Sequence, residues 1–398
     1  MDALKESACK AIDEASSKLH KLSQEIWKNP QLNFEEKHAH RVLCDFLDEN
    51  GFSAERSYKL ETAFRAVIGD KGPHVSVLCE YDALPEIGHA CGHNLIAEVG
   101  IAAGLGIKAA FETAGKPIGK LTILGTPAEE GGGGKIDLIN AGAFDGMDAS
   151  MMAHPAPFDV AEMAALAIET VTVTFYGKAS HAAAFPWDGV NALDAAVMCY
   201  QTISCMRQQF RPTWRVHGII KNGGAKPNII PEKSVMEYYV RAPTMLELAT
   251  LKEKIVSCFE SAAKGTGCTV EYKFARPYLN VLNNMSLVRA YKENLKLLGG
   301  ELPSKPASEK DNGFSGSTDM GNVSYIVPSI HPCFYIGSDA MNHTRAFTEA
   351  GGADKAQPFT LAQGKALALT AIDIFNKKGL LDRAREDFEK DKAASAQS

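Results

Sequence analysis

The chain has no close cysteine pair of the CxxC kind. Its nine cysteines, at positions 9, 44, 79, 91, 199, 205, 258, 268 and 333, are odd in number and thinly spread. That pattern excludes a small disulfide-stapled scaffold and points to free thiols. Most stand among apolar neighbours, as Cys44 does, and read as inert core. The opening Met1-Asp2-Ala3-Leu4-Lys5-Glu6 lacks the basic start and apolar centre of a signal peptide. No apolar run is expected to reach the length that spans a bilayer. The expectation is therefore a cytoplasmic protein with no membrane partner. Positive charge is not in excess: 42 Lys and Arg face 48 Asp and Glu, a formal net charge of -6. That balance argues against a nucleic-acid partner held by phosphate attraction. No internal repeat is visible.

What the chain does have is size and alternation. Its 398 residues suffice for two domains, or for one domain carrying an insertion. A hydrophobic share of 45% and a charged share of 23% are those of an ordinary globular protein. Apolar residues Ile12, Ala15, Leu19, Leu22 and Ile26 mark one face of a helix that Asn29-Pro30 stops. A second helix is expected over 34–49, with Gly51 just past its end and with His38 and His40 as solvated helix histidines. Strands are expected over 63–68, 74–79, 121–124 and 149–153, interleaved with helices over 95–114 and 135–141. Such alternation implies an α/β fold with a mostly parallel sheet covered on both faces.

From about residue 168 the texture changes to strand 170–175, helix 191–208, strands 214–220 and 234–240, helix 246–263 and strand 268–274. That β-α-β-β-α-β order is the ferredoxin-like split unit, read here as an inserted α+β domain. Beyond it come a helix over 287–298, strands near 324–327 and 334–336, and a long helix over 360–376. The tail from residue 382 reads as a solvated helix that frays. The expected division is a catalytic domain over 1–167 and 282–398, with a lid and dimerisation domain over 168–281.

Chemistry gathers at the predicted strand ends. Glu80, Asp82, Glu86, His89, Cys91 and His93 fall just after the apolar run 74–79. Thiolate, imidazole and carboxylate are the ligand types of zinc-like metals. Gly92 between Cys91 and His93 permits a tight turn that aims both at one ion. For this window alone metal binding is favoured over a surface loop with a chance cluster, though only modestly, because a lone Cys-Gly-His is a weak pattern. Glu129 and Glu130 follow the strand 121–124, however, and His154 follows 149–153. In open α/β sheets, sites form at the carboxyl ends of strands.

Six motifs carry a resemblance: Tyr81-Asp82-Ala83-Leu84-Pro85, His89-Ala90-Cys91-Gly92-His93-Asn94, Thr126-Pro127-Ala128-Glu129-Glu130-Gly131-Gly132, Ala153-His154-Pro155, Gly177-Lys178-Ala179-Ser180-His181-Ala182-Ala183 and Asn228-Ile229-Ile230-Pro231. In order and spacing they resemble the aminoacylase and carboxypeptidase G superfamily of co-catalytic metallopeptidases. Within it they look like the branch that includes the auxin-conjugate and aminobenzoyl-glutamate hydrolases. The nearest subgroup by texture, including Gly316-Ser317-Thr318-Asp319-Met320-Gly321-Asn322, looks like the dipeptidases that act on β-alanyl-lysine and other dipeptides with a basic C-terminal residue.

The resemblance implies two divalent metal ions, zinc foremost with manganese or cobalt as substitutes. Cys91, His93, Glu130, His154 and His343 would be the ligands, with Cys91 as the bridge. Glu129 would be the general base that takes a proton from the attacking water and hands it to the leaving amine. Asp82 would support a ligand rather than bind. The wider superfamily has a His-x-Asp triplet where this chain has Glu80-Tyr81-Asp82. His181 would polarise the scissile carbonyl from a partner subunit, which implies a homodimer. Asn228 and Arg241 would bind the substrate amide and carboxylate, and Asp319 would line a pocket for a basic side chain. Surface or loop positions account for His343, His181 and Arg241 without any site.

The function implied is hydrolysis of the amide of a dipeptide such as β-alanyl-lysine. The alternatives are an N-acyl amino acid or aminobenzoyl-glutamate amidohydrolase, and a non-catalytic binding protein of the same fold.

Overall fold

The run 74–79 becomes a strand with all six residues buried, its two polar members satisfied inside, His74 Nε2 on the Thr122 hydroxyl and Ser76 on the Ser150 hydroxyl. In the computed structural model, which describes residues 1–300 and 316–397, the chain divides into two units. One unit is Met1–Ala164 with Val281–Ala394, and the other is Ala165–Asn280.

The first unit opens with helices α1 (Ala3–Lys28) and α2 (Lys37–Glu49). Then come β1 (Ala54–Arg56), β2 (Phe64–Ile68), β3 (His74–Cys79), α3 (His93–Thr113), β4 (Lys120–Gly125), α4 (Gly134–Asn140), β5 (Ala149–Met151) and β6 (His154–Ala156). The inserted unit holds β7 (Ala167–Tyr176), α5 (Ala192–Met206), β8 (Arg215–Asn222), β9 (Lys233–Ala242), α6 (Met245–Thr266) and β10 (Thr269–Phe274). The first unit resumes with α7 (Met285–Leu297), α8 (Met320–Ser324), β11 (Ser329–Ile330), β12 (Cys333–Tyr335), α9 (Arg345–Gly351) and α10 (Gln357–Asn376), followed by the terminal α11 (Leu380–Gln397).

The large sheet of the first unit runs β1-β2-β4-β3-β5-β11. Its β4-β3-β5-β11 core is parallel, and β1 and β2 form an antiparallel edge. Alternate residues of β3 and β4 feed two cores, as a period of two demands. Val75, Val77, Leu121 and Ile123 join the cluster built with α1, α2, α3 and α10. Leu78 and Leu124 join a second cluster with Leu138, Met320 and Val323. Helix α3 lies very close to β3. A methyl group on Gly100 would stand 2.5 Å from Cys79 Sγ and 2.8 Å from the Leu78 carbonyl, so only glycine allows that approach.

The second unit is a four-stranded antiparallel sheet in the order β10-β7-β9-β8, with α5 and α6 packed on one core. This is the ferredoxin-like β-α-β-β-α-β unit.

Several expectations are corrected. Residues 320–324 are helix rather than part of a strand at 324–327, and the strand is the two-residue β11. A short apolar run carries no period that separates helix from strand. The expected strand 149–153 stops at Met151, and His154 opens β6 in a separate pair with β12. Helix α2 begins at Lys37 because Phe34 adopts φ 63° and its N–H is taken by the Glu36 carboxylate. His40 is buried rather than solvated, and its Nε2 accepts from the Ser57 N–H. The tail docks instead of fraying at its start: Leu380 and Ala384 are buried, and Asp387 accepts from the Ser286 N–H and hydroxyl. Helix α3, 21 residues long, is apolar enough to cross a bilayer and is instead a buried core helix.

Burying Glu98 on α3 leaves a pH signature. Its Oε1 accepts from Gln357 Nε2 at 2.6 Å, and burial pushes its carboxyl up to about 7. The folded chain therefore holds a proton that the unfolded chain releases, so stability falls as pH rises from the ordinary glutamate range to about 7. Glu98→Gln removes that dependence. At pH 8 the variant should be more stable than the parent by up to about 3 kcal/mol, and at pH 4 the gap should close. Denaturant melts at the two pH values check this.

Candidate active site

Parallel strands β3 and β4 end together, Cys79 facing Gly125, so the segments that follow them emerge side by side. Three residues past β3 stands Asp82, wholly buried. Its Oδ1 accepts from His93 Nδ1 at 2.9 Å and its Oδ2 from the Glu130 N–H at 2.9 Å. Past β4 the chain turns through Ala128, a non-glycine residue at φ 59°. Glu36 holds this turn: its Oε1 accepts from the Ala128 N–H at 2.9 Å and its Oε2 from the Thr62 hydroxyl. Burial raises the Glu36 carboxyl to about 6. Strain of this kind costs about 1–3 kcal/mol and persists where surrounding contacts over-determine it.

Gly92 makes the turn between Cys91 and His93 at φ 76° and leads into α3. A Cβ there would lie 2.5 Å from Pro155 Cγ. His154 opens β6, and its Nδ1 donates to the Pro155 carbonyl at 2.8 Å, which leaves Nε2 as a lone-pair donor 3.4 Å from Cys91 Sγ. His343 sits at φ 65°, its N–H bonded to the Ala90 carbonyl at 2.8 Å, and its Nε2 lies 3.4 Å from Glu130 Oε1.

The five expected ligands thus come together. Cys91, His93 and His154 form one group, and Cys91, Glu130 and His343 another, with donor atoms all within 4.8 Å of one another in each. Cys91 is common to both, so its thiolate would be the donor the two groups share if cations were bound. A third group joins His93 with Glu129 and Glu130. The residues fit divalent cations. Buried His93 Nε2 and Glu130 Oε1 have no hydrogen bond, and each such orphan costs about 1–3 kcal/mol unless something charged meets it. The spacings of 3.4 Å also suit two donors of one tetrahedral ion, which by bond lengths stand ~3.4–3.6 Å apart.

Electrostatics sort the roles. Burial, with Glu130 and Glu80 adding to it, raises the Glu129 carboxyl well above its ordinary range. Burial lowers His154 to about 4, which keeps its imidazole neutral and free to ligate. Burial opposes charge on His93, but the Asp82 carboxylate overrides it and raises the imidazole. Burial and the Glu130 carboxylate push the Cys91 thiol up, so cation binding there releases a proton.

Residues 167–267 match the peptidase dimerisation domain of the M20 peptidases. The chain is 53% identical to the Xaa-Arg dipeptidase of Mus musculus over 98% of its own length and 93% of that protein's. The chain belongs to the M20 family of metallopeptidases. It is 28% identical to a chain of the p-aminobenzoyl-glutamate hydrolase of Escherichia coli, over 95% of this chain and 93% of that one. A dinuclear metal-binding M20 peptidase from Bacillus subtilis shares its fold at a TM-score of 0.69, covering 91% of this chain and 99% of that one at 21% identity.

The remaining expected residues of this M20 chain are placed as follows. In the inserted unit, His181 pairs with Ile229 across an isolated bridge, and the Asn228 carbonyl accepts from the Ala182 N–H, so the two motifs adjoin. His181 is exposed. Its Nδ1 accepts from the Ala183 and Ala184 N–H groups, which leaves Nε2–H as a donor. Arg241 on β9 is half-buried with its Nε unpartnered. Asp319 is corrected: rather than line a pocket, it is fully buried with both oxygens on Lys135, at 2.7 Å to Nζ and 2.9 Å to N. His89 is buried beside the site and belongs to no ligand group among the described residues.

Sequence reasoning passes over Lys135 and gives Glu80 no role, yet both are wholly buried and joined at 2.5 Å. It also misses buried His331, whose ring lies 5.5 Å from that of His154. A lysine after four glycines carries no periodic signal, whereas an acid directly ending a buried strand is a readable one.

Asp82→Asn keeps the size but loses one acceptor for His93 or Glu130. Cation affinity should fall about tenfold to a hundredfold, read by calorimetric titration.

Proposed function

We propose that the protein is a dinuclear metal-dependent dipeptidase that releases arginine or lysine from dipeptides, β-alanyl-lysine among them. One observation carries the reading: two donor groups meet on Cys91 beside the buried Glu129, in a chain 53% identical to an Xaa-Arg dipeptidase. Two cations, zinc by the character of the donor set and replaceable by manganese or cobalt, supply Lewis acidity and bring the pKa of water toward neutrality. Glu129 accepts the proton of the attacking water on its carboxylate and delivers it to the nitrogen of the leaving amino acid as the C–N bond breaks. Asp82 and Glu36 hold the donors and the Glu129 turn in register. His181 offers its Nε2–H to the carbonyl oxygen, and Asn228 with Arg241 takes the amide and the free carboxylate.

The active form in this proposal is a homodimer, with His181 supplied by the second subunit. Support comes from β8, an edge strand of the sheet that leaves Ile219 60% exposed with Ile220 beside it. Unpaired apolar edges call for a partner. A cytoplasmic location is also proposed, supported by nine free thiols.

A panel of dipeptides differing only in the released residue tests the substrate class. Lysine and arginine should leave fastest, and a chelator should abolish turnover. Faster release of glutamate would favour the aminobenzoyl-glutamate type, in line with the Escherichia coli relative. Glu129→Gln should lower kcat about a hundredfold to ten-thousandfold while metal content stays at the parental level. Ile219→Lys should shift the mass seen by light scattering from dimer to monomer, with activity lost in step.

A further inference from the structure

Of the five expected donors, His343 alone is exposed, with 55% of its side chain open to solvent. Little packing aims its imidazole, so the backbone that carries it must. On one side buried Asn342 donates from Nδ2 to the Pro155 carbonyl at 3.1 Å, and the His343 N–H bonds to the Ala90 carbonyl at 2.8 Å. On the other side Thr344 caps α9, its hydroxyl accepting from the Phe347 N–H at 3.2 Å.

Helix α9 cannot hold itself in place. Its seven residues are far fewer than a helix needs to stand alone in water, and Phe347 is its only large buried side chain. The last carbonyls of a helix have no partner within it. Here side chains of two other helices reach the end of α9. On α1, Trp27 Nε1 donates to the Thr348 carbonyl at 2.8 Å and Gln24 Nε2 to the Gly352 carbonyl at 2.9 Å. On α3, Asn94 Nδ2 donates to the Gly351 carbonyl at 3.0 Å. A Cβ on Gly352 would stand 2.3 Å from Trp27 Cε2, so the indole lies directly on this backbone and only glycine admits it. The Thr348 hydroxyl in turn donates to the Ile87 carbonyl at 2.7 Å, in the loop that leads to Cys91. Asn94 is also the neighbour of His93, so one side chain ties the helix that begins with His93 to the helix that follows His343.

We propose that Trp27, Gln24 and Asn94 are positioning residues of the second donor group: by seating α9 they hold His343 against Cys91 and Glu130. None of them is a ligand. A shift of α9 moves the exposed imidazole directly, whereas Cys91, His93 and His154 stand on other segments and keep their places. The inference rests on the dinuclear reading above and adds to it the residues that set the His343 geometry.

Calorimetric titration of the chelator-treated full chain with zinc tests it. His343→Ala identifies the cation that His343 holds, by the one binding step it weakens. Trp27→Phe removes the indole N–H and keeps an aromatic ring over Gly352. It should weaken that same step about tenfold and leave the other within about threefold of the parent's. In the His343→Ala background, Trp27→Phe should cost no further affinity, because its effect passes through the imidazole. Parental binding by Trp27→Phe overturns the proposal. Equal weakening of both steps overturns it as well, and so does a further loss in the His343→Ala background, since each marks a helix contact with no tie to His343. Should Trp27→Phe fail to give the parental circular dichroism, Gln24→Met removes the other α1 donor at nearly constant length. It must weaken the same single step, and unchanged two-step binding by it is a refutation. A parent that takes up no cation pair, or a His343→Ala variant that weakens neither step, sinks the dinuclear reading itself, a result distinct from all of these.

Discussion

One carboxylate ties the centre together. Asp82 gives one oxygen to the His93 ring and the other to the Glu130 backbone, joining the segment after β3, the start of α3 and the loop after β4. Both bonds are charge-assisted, and the imidazole that Asp82 holds lowers its own carboxyl below the usual range in spite of full burial. The arrangement exists because β3 and β4 are neighbouring parallel strands in register to their last residues. A slip of one residue would separate the strand ends from which these segments emerge.

Such a centre costs stability. Ala128 and His343 both hold positive φ without being glycine, and both flank or supply donor groups. Glu36, Glu80, Lys135 and Asp319 are charged or titratable groups taken wholly out of water. Buried ion pairs give little net stability, because desolvation offsets their attraction. Their service here is geometric: each binds segments far apart in sequence and holds a donor at a defined angle. The apolar contacts of α1, α3 and α10 around β3 and β4 supply the stability that offsets this.

Much of the fold is legible in the sequence because its elements are long and periodic. The run 74–79 is β3 to the residue, and the β-α-β-β-α-β order of the inserted unit emerges from alternation and helix spacing alone. Legibility fails where the deciding contact is distant. Phe34 leaves the helix because of the Glu36 side chain, His40 is buried under Ser57, and 320–324 coils because residues 318–322 bond locally. Asp319 has the look of a specificity residue in one dimension, and only the fold puts Lys135 on both its oxygens.

The sequence by itself determined which donors the protein owns, the strand ends that carry them and the family they resemble. Those properties depend on residue type and on short-range spacing, which a chain displays in one dimension. Only the tertiary structure decided that Cys91 belongs to two groups at once, that Glu36 braces the Glu129 turn, and that Glu80 faces His93 with Lys135 behind it. Cys91 and His343 stand in distant parts of the chain, with the whole inserted unit between them, and only a folded sheet brings such atoms within bonding reach of one ion.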